Sequence, residues 1–443
     1  MKTIKLSLLS MLAIMTLFWV IVNANVLTTT HEFFAWRKLL LQYSGILAMA
    51  AMSISMLLAM RLTWIENRLN GLDKAYRLHK WLGVTALVFI VSHWLLINIP
   101  RWLVEAGLLI KPARLPSQPE TVALFKFFDS QRDFAEQIGE YSFYVLVILI
   151  AIALIKRFPY RYFFMTHRWI ALVYLVLIFH AVVLMKYAYW SSVLGAVMTI
   201  LMLLGALSAL TSILHRIGQS HKAVGEVSQV HYLDGDKINS ISIQLKSKWK
   251  AHCAGQFAFV TFDEHEGAHP FSITSVWLGD GHLSFLIKAL GDYTSTISTK
   301  VKVGDYVVVE GPYGRFNFDG KAKRQIWIGG GIGITPFIAR MKALAVCPDG
   351  RTIDLFHTTL DIDDTALQLL KEDAIAAGVH LHVMITSREG HLTGALLRSK
   401  IPDWMTADIW FCGPLSFGKA IRSDLIESGL SSDKFHQELF DMR

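Results

Sequence analysis

The sequence predicts a multi-domain membrane protein: a six-helix α bundle, then an antiparallel β-barrel, then a parallel α/β domain. Three observations predict it. Only 18% of the 443 residues are charged and 53% are hydrophobic, whereas soluble domains run nearer about 25% charged. Apolar segments long enough to cross about 30 Å of hydrocarbon recur six times in the first half. After residue 224 or so, short alternating runs appear, and then strands alternating with helical stretches.

The same composition excludes a wholly soluble chain. With 11 Pro and 30 Gly it also excludes a disordered or collagen-like one. The three cysteines, Cys253, Cys347 and Cys412, are far apart. They exclude a disulfide scaffold and clustered-Cys zinc or iron–sulfur sites. Residues 1–221 carry 20 Lys and Arg against 9 Asp and Glu, and residues 222–443 carry 23 against 26. The basic excess therefore belongs to the hydrophobic half, where it reads as membrane-flanking charge. No basic stripe marks the other half, so no nucleic-acid partner is expected.

The apolar segments lie near 6–25, 39–60, 79–99, 141–158, 166–186 and 190–214. Basic residues gather at alternate ends: Lys2 and Lys5, then Arg61 to Lys80, then Lys156 to Arg168, then Arg216 and Lys222. This pattern puts the N-terminus and the C-terminal half in the cytoplasm of a plasma or inner membrane. The third connection, 100–137, is long and carries acidic as well as basic residues. The first segment also fits a signal peptide, with small residues near Ala24; its removal would leave the orientation of the other five unchanged.

Four histidines stand out. His79 and His93 lie on the third segment, His167 and His180 on the fifth. Ionisable side chains in a bilayer are costly and point to function. Each pair is separated by about 20 Å along its helix, so two adjacent helices would present one pair near each leaflet. His79 with His167, and His93 with His180, can each clamp a haem iron from both faces. No acidic partner suggests a proton relay. Lys80 and Arg168 follow the inner histidines and can neutralise haem propionates or serve as ordinary flanking charge. The spacings differ: fourteen residues return close to the same helix face, but thirteen miss it by over a third of a turn. Tilt, a local irregularity or different ring angles must absorb the difference.

Beyond a basic linker (215–224), alternating runs at 240–245, 256–262, 282–290 and 306–310 predict the antiparallel barrel (225–320). Strands at 325–328, 353–356, 381–385 and 409–411, with a helix over 336–344, predict a parallel sheet wound for dinucleotide binding (321–443). The turn Gly329-Gly330-Gly331-Ile332-Gly333-Ile334-Thr335-Pro336 follows a strand and opens a helix. Glycines there let a pyrophosphate approach the backbone and the helix N-terminus.

Taken together, the chain resembles the ferric reductase and NADPH oxidase superfamily over nearly its full length. The histidine spacings match that family's paired haem ligands, implying two b-type haems in a domain over 1–214. His269-Pro270-Phe271-Ser272-Ile273-Thr274-Ser275 is similar to the family's flavin motif, which implies FAD. Lys288 with Gly291-Asp292-Tyr293-Thr294 is similar to its second flavin-phosphate motif, and Gly331 to Phe337, with Gly333, Thr335 and Pro336, to its nicotinamide-nucleotide motif. Cys412-Gly413-Pro414 resembles the segment facing the nicotinamide. The stretch from Phe435 to Phe440 resembles the terminal strand whose aromatic covers the flavin. By this resemblance Ser272 and Thr274 hold the flavin ring and ribitol, and His269, Lys288 and the Gly291–Thr294 turn hold its phosphates. Phe440 stacks on the ring and Cys412 lines the hydride-transfer site. Gly311-Pro312-Tyr313-Gly314 resembles an interdomain segment and also fits a plain turn.

Ser387-Arg388 suits a 2′-phosphate, whereas Asp361 suits a free ribose hydroxyl. The balance favours NADPH within NAD(P)H. The expected activity is NAD(P)H-dependent electron transfer through FAD and two haems to ferric iron or dioxygen, the latter giving superoxide. The alternative is an electron-transfer module serving a partner protein or quinone. Arg101, Lys111, Arg114 and Arg132, in a loop with Pro112, Pro116 and Pro119, can attract an anionic chelate or simply solvate the loop. The sequence names no protein partner.

Overall fold

A computed structural model describes residues 2–110, 121–155, 157–233 and 237–438. Leu439 and Phe440 lie outside the described residues, as do Lys111, Pro112, Arg114, Pro116, Pro119 and Lys156. The chain divides into two compact units.

The first unit holds nine helices among the described residues: α1 (Lys2–Thr29), α2 (Phe33–Ala59), α3 (Thr63–Leu69), α4 (Leu72–Glu105), α5 (Ala123–Ser130), α6 (Arg132–Leu154), α7 (Tyr160–Leu184), α8 (Tyr187–Trp190) and α9 (Val193–Ile213). Part of α3 clusters with the second unit. Six of them (α1, α2, α4, α6, α7 and α9) are long and apolar enough to cross a bilayer, which agrees with the six expected segments. The protein is thus a multi-pass membrane protein. Its outer surface is apolar, as lipid requires: Leu6, Ile148 and Leu207 are each about 60% exposed. Its interior carries small and polar groups that join helices. Ser53 on α2 and Tyr174 on α7 share a hydrogen bond of 2.7 Å, and Tyr189 donates to Asn23 at 2.9 Å. The short helices α3, α5 and α8 carry too few residues for a periodic signal and were not expected.

The second unit takes in Glu66–Asp73 and Gly218–Met442. Inside it Glu66 accepts the Gly314 N–H at 2.7 Å. The first layer is an antiparallel sheet of β1 (Lys222–Leu233), β2 (Ile238–Leu245), β3 (Phe257–Thr261), β4 (His269–Ser272), β5 (His282–Lys288) and β6 (Tyr306–Tyr313), in the order β4-β3-β6-β1-β2-β5. Ile273, just past β4, bridges to Phe285 on β5, and Thr274 N–H donates to Ser284 O at 2.8 Å. The two edge strands therefore meet, as a barrel needs. Alternation along β5 buries Leu283, Phe285 and Ile287 in the core. β1 opens at Lys222, inside the stretch read as linker.

A short helix α10 (Ile297–Lys300) precedes β6. The second layer is parallel: β7 (Arg324–Gly330), β8 (Thr352–Thr359), β9 (His380–Ile385), β10 (Asp408–Cys412) and β11 (Phe435–Gln437), ordered β11-β10-β7-β8-β9. Helices α11 (Thr335–Val346), α12 (Asp364–Ala377), α13 (Thr386–Glu389), α14 (Gly394–Lys400) and α15 (Leu415–Glu427) make the crossovers. The strand order reverses between β7 and β10. Ligands bind such sheets at the carboxyl ends of the strands beside that reversal. Gly330 and Cys412 end those two strands, with Cys412 in register with Gly329.

Candidate functional site

The histidines meet in the expected pairs. The His79 and His167 rings lie 5.7 Å apart at 64°, and His93 and His180 lie 6.4 Å apart at 74°. α7 is unbroken from Tyr160 to Leu184, so no local irregularity absorbs the thirteen-residue spacing. The two rings instead take different supports. His167 stacks on Phe163 at 5.1 Å. His180 leans towards α6, and its Nδ1 lies 2.8 Å from Ala135 O.

Three of the four rings have Nδ1 on a main-chain carbonyl: His79 on Ser55 at 2.9 Å, His93 on Leu41 at 3.0 Å, and His180 on Ala135. A carbonyl only accepts, so Nδ1 carries the proton and Nε2 keeps its lone pair for a metal. His167 Nδ1 is buried without a hydrogen-bond partner among the described residues. Among the described residues no group of three or more His, Cys, Asp or Glu forms a metal site. An iron already held by four porphyrin nitrogens needs only two imidazoles, so the donor set fits haem.

The second pair opens on a cavity of about 1090 Å³. Arg101 and Arg132 line it, together with Arg37 and Lys38 from α2 and with Glu136 and Glu140 from α6. Trp94 lines it too, and its buried indole N–H has no acceptor among the described residues. A propionate carboxylate would satisfy that donor and the guanidinium groups around it. Arg168 behaves differently. It bonds to His215 and to Ile213 O at 3.4 Å, at the end of α9.

In the second unit the flavin-motif residues line up along β4 and its continuation. Ser272, Thr274 and Ser275 are all buried. The Thr274 amide is committed to Ser284 O, and Ser275 Oγ accepts Ser284 N–H at 3.1 Å. The Thr274 and Ser272 hydroxyls remain the free polar atoms of the set. His269 lies flat between Phe271 and Tyr293, 4.6 Å from the latter. Burial lowers its pKa to about 4, so at neutral pH the ring is uncharged. Lys288 ends β5. Thr294 Oγ1 accepts the Leu290 and Gly291 amides at 3.0 and 2.9 Å, which fixes the Gly291–Thr294 turn and leaves the Asp292 and Tyr293 amides for a ligand.

At the strand reversal, Gly331 sits at φ +55° and begins a 3-10 turn ending at Ile334. A Cβ on Gly333 would lie 2.3 Å from Cys412 O. Only glycine lets the turn press against the end of β10. Gly330 packs in the same way on Gly413 and Pro414. Thr335 caps the turn through Ile332 O at 3.1 Å, and Pro336 opens α11. Cys412 is fully buried, and burial together with the nearby Glu438 pushes its thiol pKa well up. Ser387 Oγ donates to Leu360 O at 3.0 Å, which places Arg388 beside the turn after β8. The Asp361 carboxylate accepts its own neighbour, the Ile362 N–H.

Comparison with known proteins agrees with this division. Residues 44–178 match the family model described as ferric reductase like transmembrane component, and residues 223–317 match an FAD-binding domain. Together the two matched domains agree with the architecture of the ferric reductase and NADPH oxidase superfamily. The transmembrane match contains His79, His93 and His167 and stops two residues before His180. The chain is 28% identical over 189 residues to a glycine betaine monooxygenase reductase subunit of Chromohalobacter salexigens, covering 39% of this chain and 48% of that protein. It is 25% identical over 162 residues to a flavohemoprotein of Oceanobacillus iheyensis, covering 34% and 40%. The chain thus spans about half the length of such relatives. A flavohemoglobin structure from Malassezia yamatoensis with bound FAD and heme aligns over 90% of this chain and 96% of its own, with 16% identity and a TM-score of 0.48.

Three residues that matter here escaped the sequence reading. A Cβ on Gly139 would lie 2.1 Å from His180 Nδ1, so this glycine of α6 is the floor on which the ring rests. No turn or motif announces it. His252 is buried and its Nε2 donates to Ser275 O at 3.0 Å, holding the flavin motif from behind. Glu438, in the terminal motif but without an expected role, is buried beside Cys412.

Proposed function

We propose that this protein carries electrons across a membrane, from cytoplasmic NAD(P)H through FAD and two b-type haems to ferric iron or dioxygen on the far side. The observation that carries this reading is the pair of facing imidazole couples, one above the other along α4 and α7, in a chain with an FAD-binding domain. When bound, FAD splits a two-electron hydride into single electrons, and haem iron accepts electrons only singly.

The protein's own groups do the rest. The carbonyls of Ser55, Leu41 and Ala135 set the tautomer and direction of their imidazoles. Trp94, Arg37 and Arg101 offer donors to propionates in the second cavity. Ser272 and Thr274 offer hydroxyls to the flavin, while Lys288 and the Asp292 and Tyr293 amides receive its phosphates. The Gly330–Pro336 turn receives the nucleotide pyrophosphate beside Cys412, Gly413 and Pro414. Arg388 faces the 2′-phosphate, so NADPH is the preferred nucleotide. Phe440, by family resemblance, covers the flavin face and must swing aside for the nicotinamide. Basic residues at alternate helix ends support cytoplasmic termini.

The test is optical. The full-length protein, expressed with porphyrin supplied, is expected to show a Soret band and two haems per FAD. Anaerobic NADPH should reduce both haems. Fast reoxidation by ferric citrate marks a ferric reductase, and fast reoxidation by air with superoxide release marks an oxidase. A colourless protein that binds FAD would refute the reading.

A further inference from the structure

A second cleft, of about 360 Å³, lies beside the haem cavity. Phe125 and Phe128 of α5, Ile178 and Val182 of α7, and Leu203 and Ala206 of α9 form its walls, which expose only apolar atoms. It faces the hydrocarbon: Leu124 and Leu203 at its rim are 56% and 59% exposed. α5 forms its roof and is pinned there. Phe125 stacks on Tyr187 at 4.4 Å, nearly parallel, and the Tyr187 hydroxyl donates to Asp129 at 2.6 Å. The decisive residue is Met202, whose side chain lines both this cleft and the cavity holding His93 and His180. Met202, a flexible thioether, is therefore part of a wall that the lipid-facing cleft shares with that cavity.

We propose that the cleft binds the isoprenoid tail of a membrane quinone, whose head group passes Met202 into the cavity and is reduced there. This rests on the reading that electrons leave at the His93–His180 couple. The wall that the cleft shares with the cavity at Met202 favours this occupant over a bilayer acyl chain. An acyl chain carries its head group out to the interface, and has no chemistry to perform at a redox site. A quinone needs an apolar groove for the tail and a polar chamber for the head, and both are present on either side of Met202. The balance closes on the chain's own reductant. One NAD(P)H loses a hydride, which is two electrons and one proton, and that proton stays on the nucleotide side. The quinone gains the two electrons and takes two protons from solvent through the cavity, where Glu136 and Glu140 lie, and both carbonyl oxygens become hydroxyls.

Two variants fill the cleft without touching the haem, flavin or nucleotide residues: Ala206→Trp, and Leu203→Trp should the first fail to fold. The first measurement is photolabelling of the full-length protein with an azido-quinone bearing an isoprenoid tail. Label is expected on peptides of α7 and α9 in the wild type, with at least a fivefold loss in the variant. The second is anaerobic reoxidation of NADPH-reduced haem by menaquinone-4 and by tail-less menadione. The variant should slow the tailed quinone about tenfold and leave menadione, ferric citrate and the Soret band unchanged. Labelling that is absent or scattered, or equal menaquinone-4 rates in both proteins, overturns the proposal. A wild type that lacks a Soret band but labels specifically keeps the cleft assignment and sinks the haem reading instead.

Discussion

The membrane unit and the soluble unit place their chemistry in different atoms. In the membrane unit the proposed working groups are side chains, four imidazoles whose backbone is ordinary helix. The neighbouring helices must supply what aims them: three carbonyls and the bare face of Gly139. In the soluble unit many of the working groups are main-chain atoms, held in shapes that few residues permit, such as the Gly331 turn and the contact of Gly333 with Cys412 O. A helix satisfies its own backbone, as a bilayer demands, so only side chains remain for function there. A turn at the end of a parallel strand has spare amides and an open crevice, so the backbone itself can bind.

The comparison can be broken by exchanging the kinds of damage. The largest expected effect is His180→Leu, which should remove one haem of two while FAD stays bound; an unchanged haem-to-flavin ratio would end the ligand assignment. Next is Gly139→Val, a substitution on a helix with no catalytic group. If the bare face aims His180, this variant should lose the same haem as His180→Leu, read as the same change in the Soret band.

In the soluble unit Gly333→Ala should cost about 1–3 kcal/mol of stability from the close approach to Cys412 O. It should weaken NADPH binding by calorimetry while both haems remain. Arg388→Ala should raise the KM for NADPH about tenfold, equivalent to ~1.4 kcal/mol, and leave that for NADH unchanged; equal effects on both would remove the 2′-phosphate assignment. The smallest effect concerns Cys412. Burial and Glu438 raise its pKa, so at pH 8 the thiol stays protonated. Iodoacetamide should label the exposed Cys253 and Cys347 while leaving Cys412 largely unmodified, as read by peptide mass spectrometry.

Much of this protein is written in local sequence. Six apolar stretches, four intramembrane histidines and the glycine turn after β7 were legible because each follows from a short-range rule: hydrocarbon thickness, the cost of a buried imidazole, the backbone freedom a turn requires; the flavin motif was legible only through family resemblance. The order of six membrane helices, antiparallel sheet and parallel sheet followed from the same patterns. The sequence could pair His79 with His167 and His93 with His180, but the thirteen-residue spacing on α7 did not fit an ideal helix face. That was settled only when α6 came alongside and gave His180 a carbonyl and a glycine to lean on. The role of Gly139, the bracing of Ser275 by His252, the placement of Glu438 beside Cys412 and the shared wall at Met202 depend on residues far apart in the chain. Spacing along one segment reports what that segment can become. Which carbonyl, bare face or charge meets it is set by packing between segments, and a single sequence carries no direct record of that.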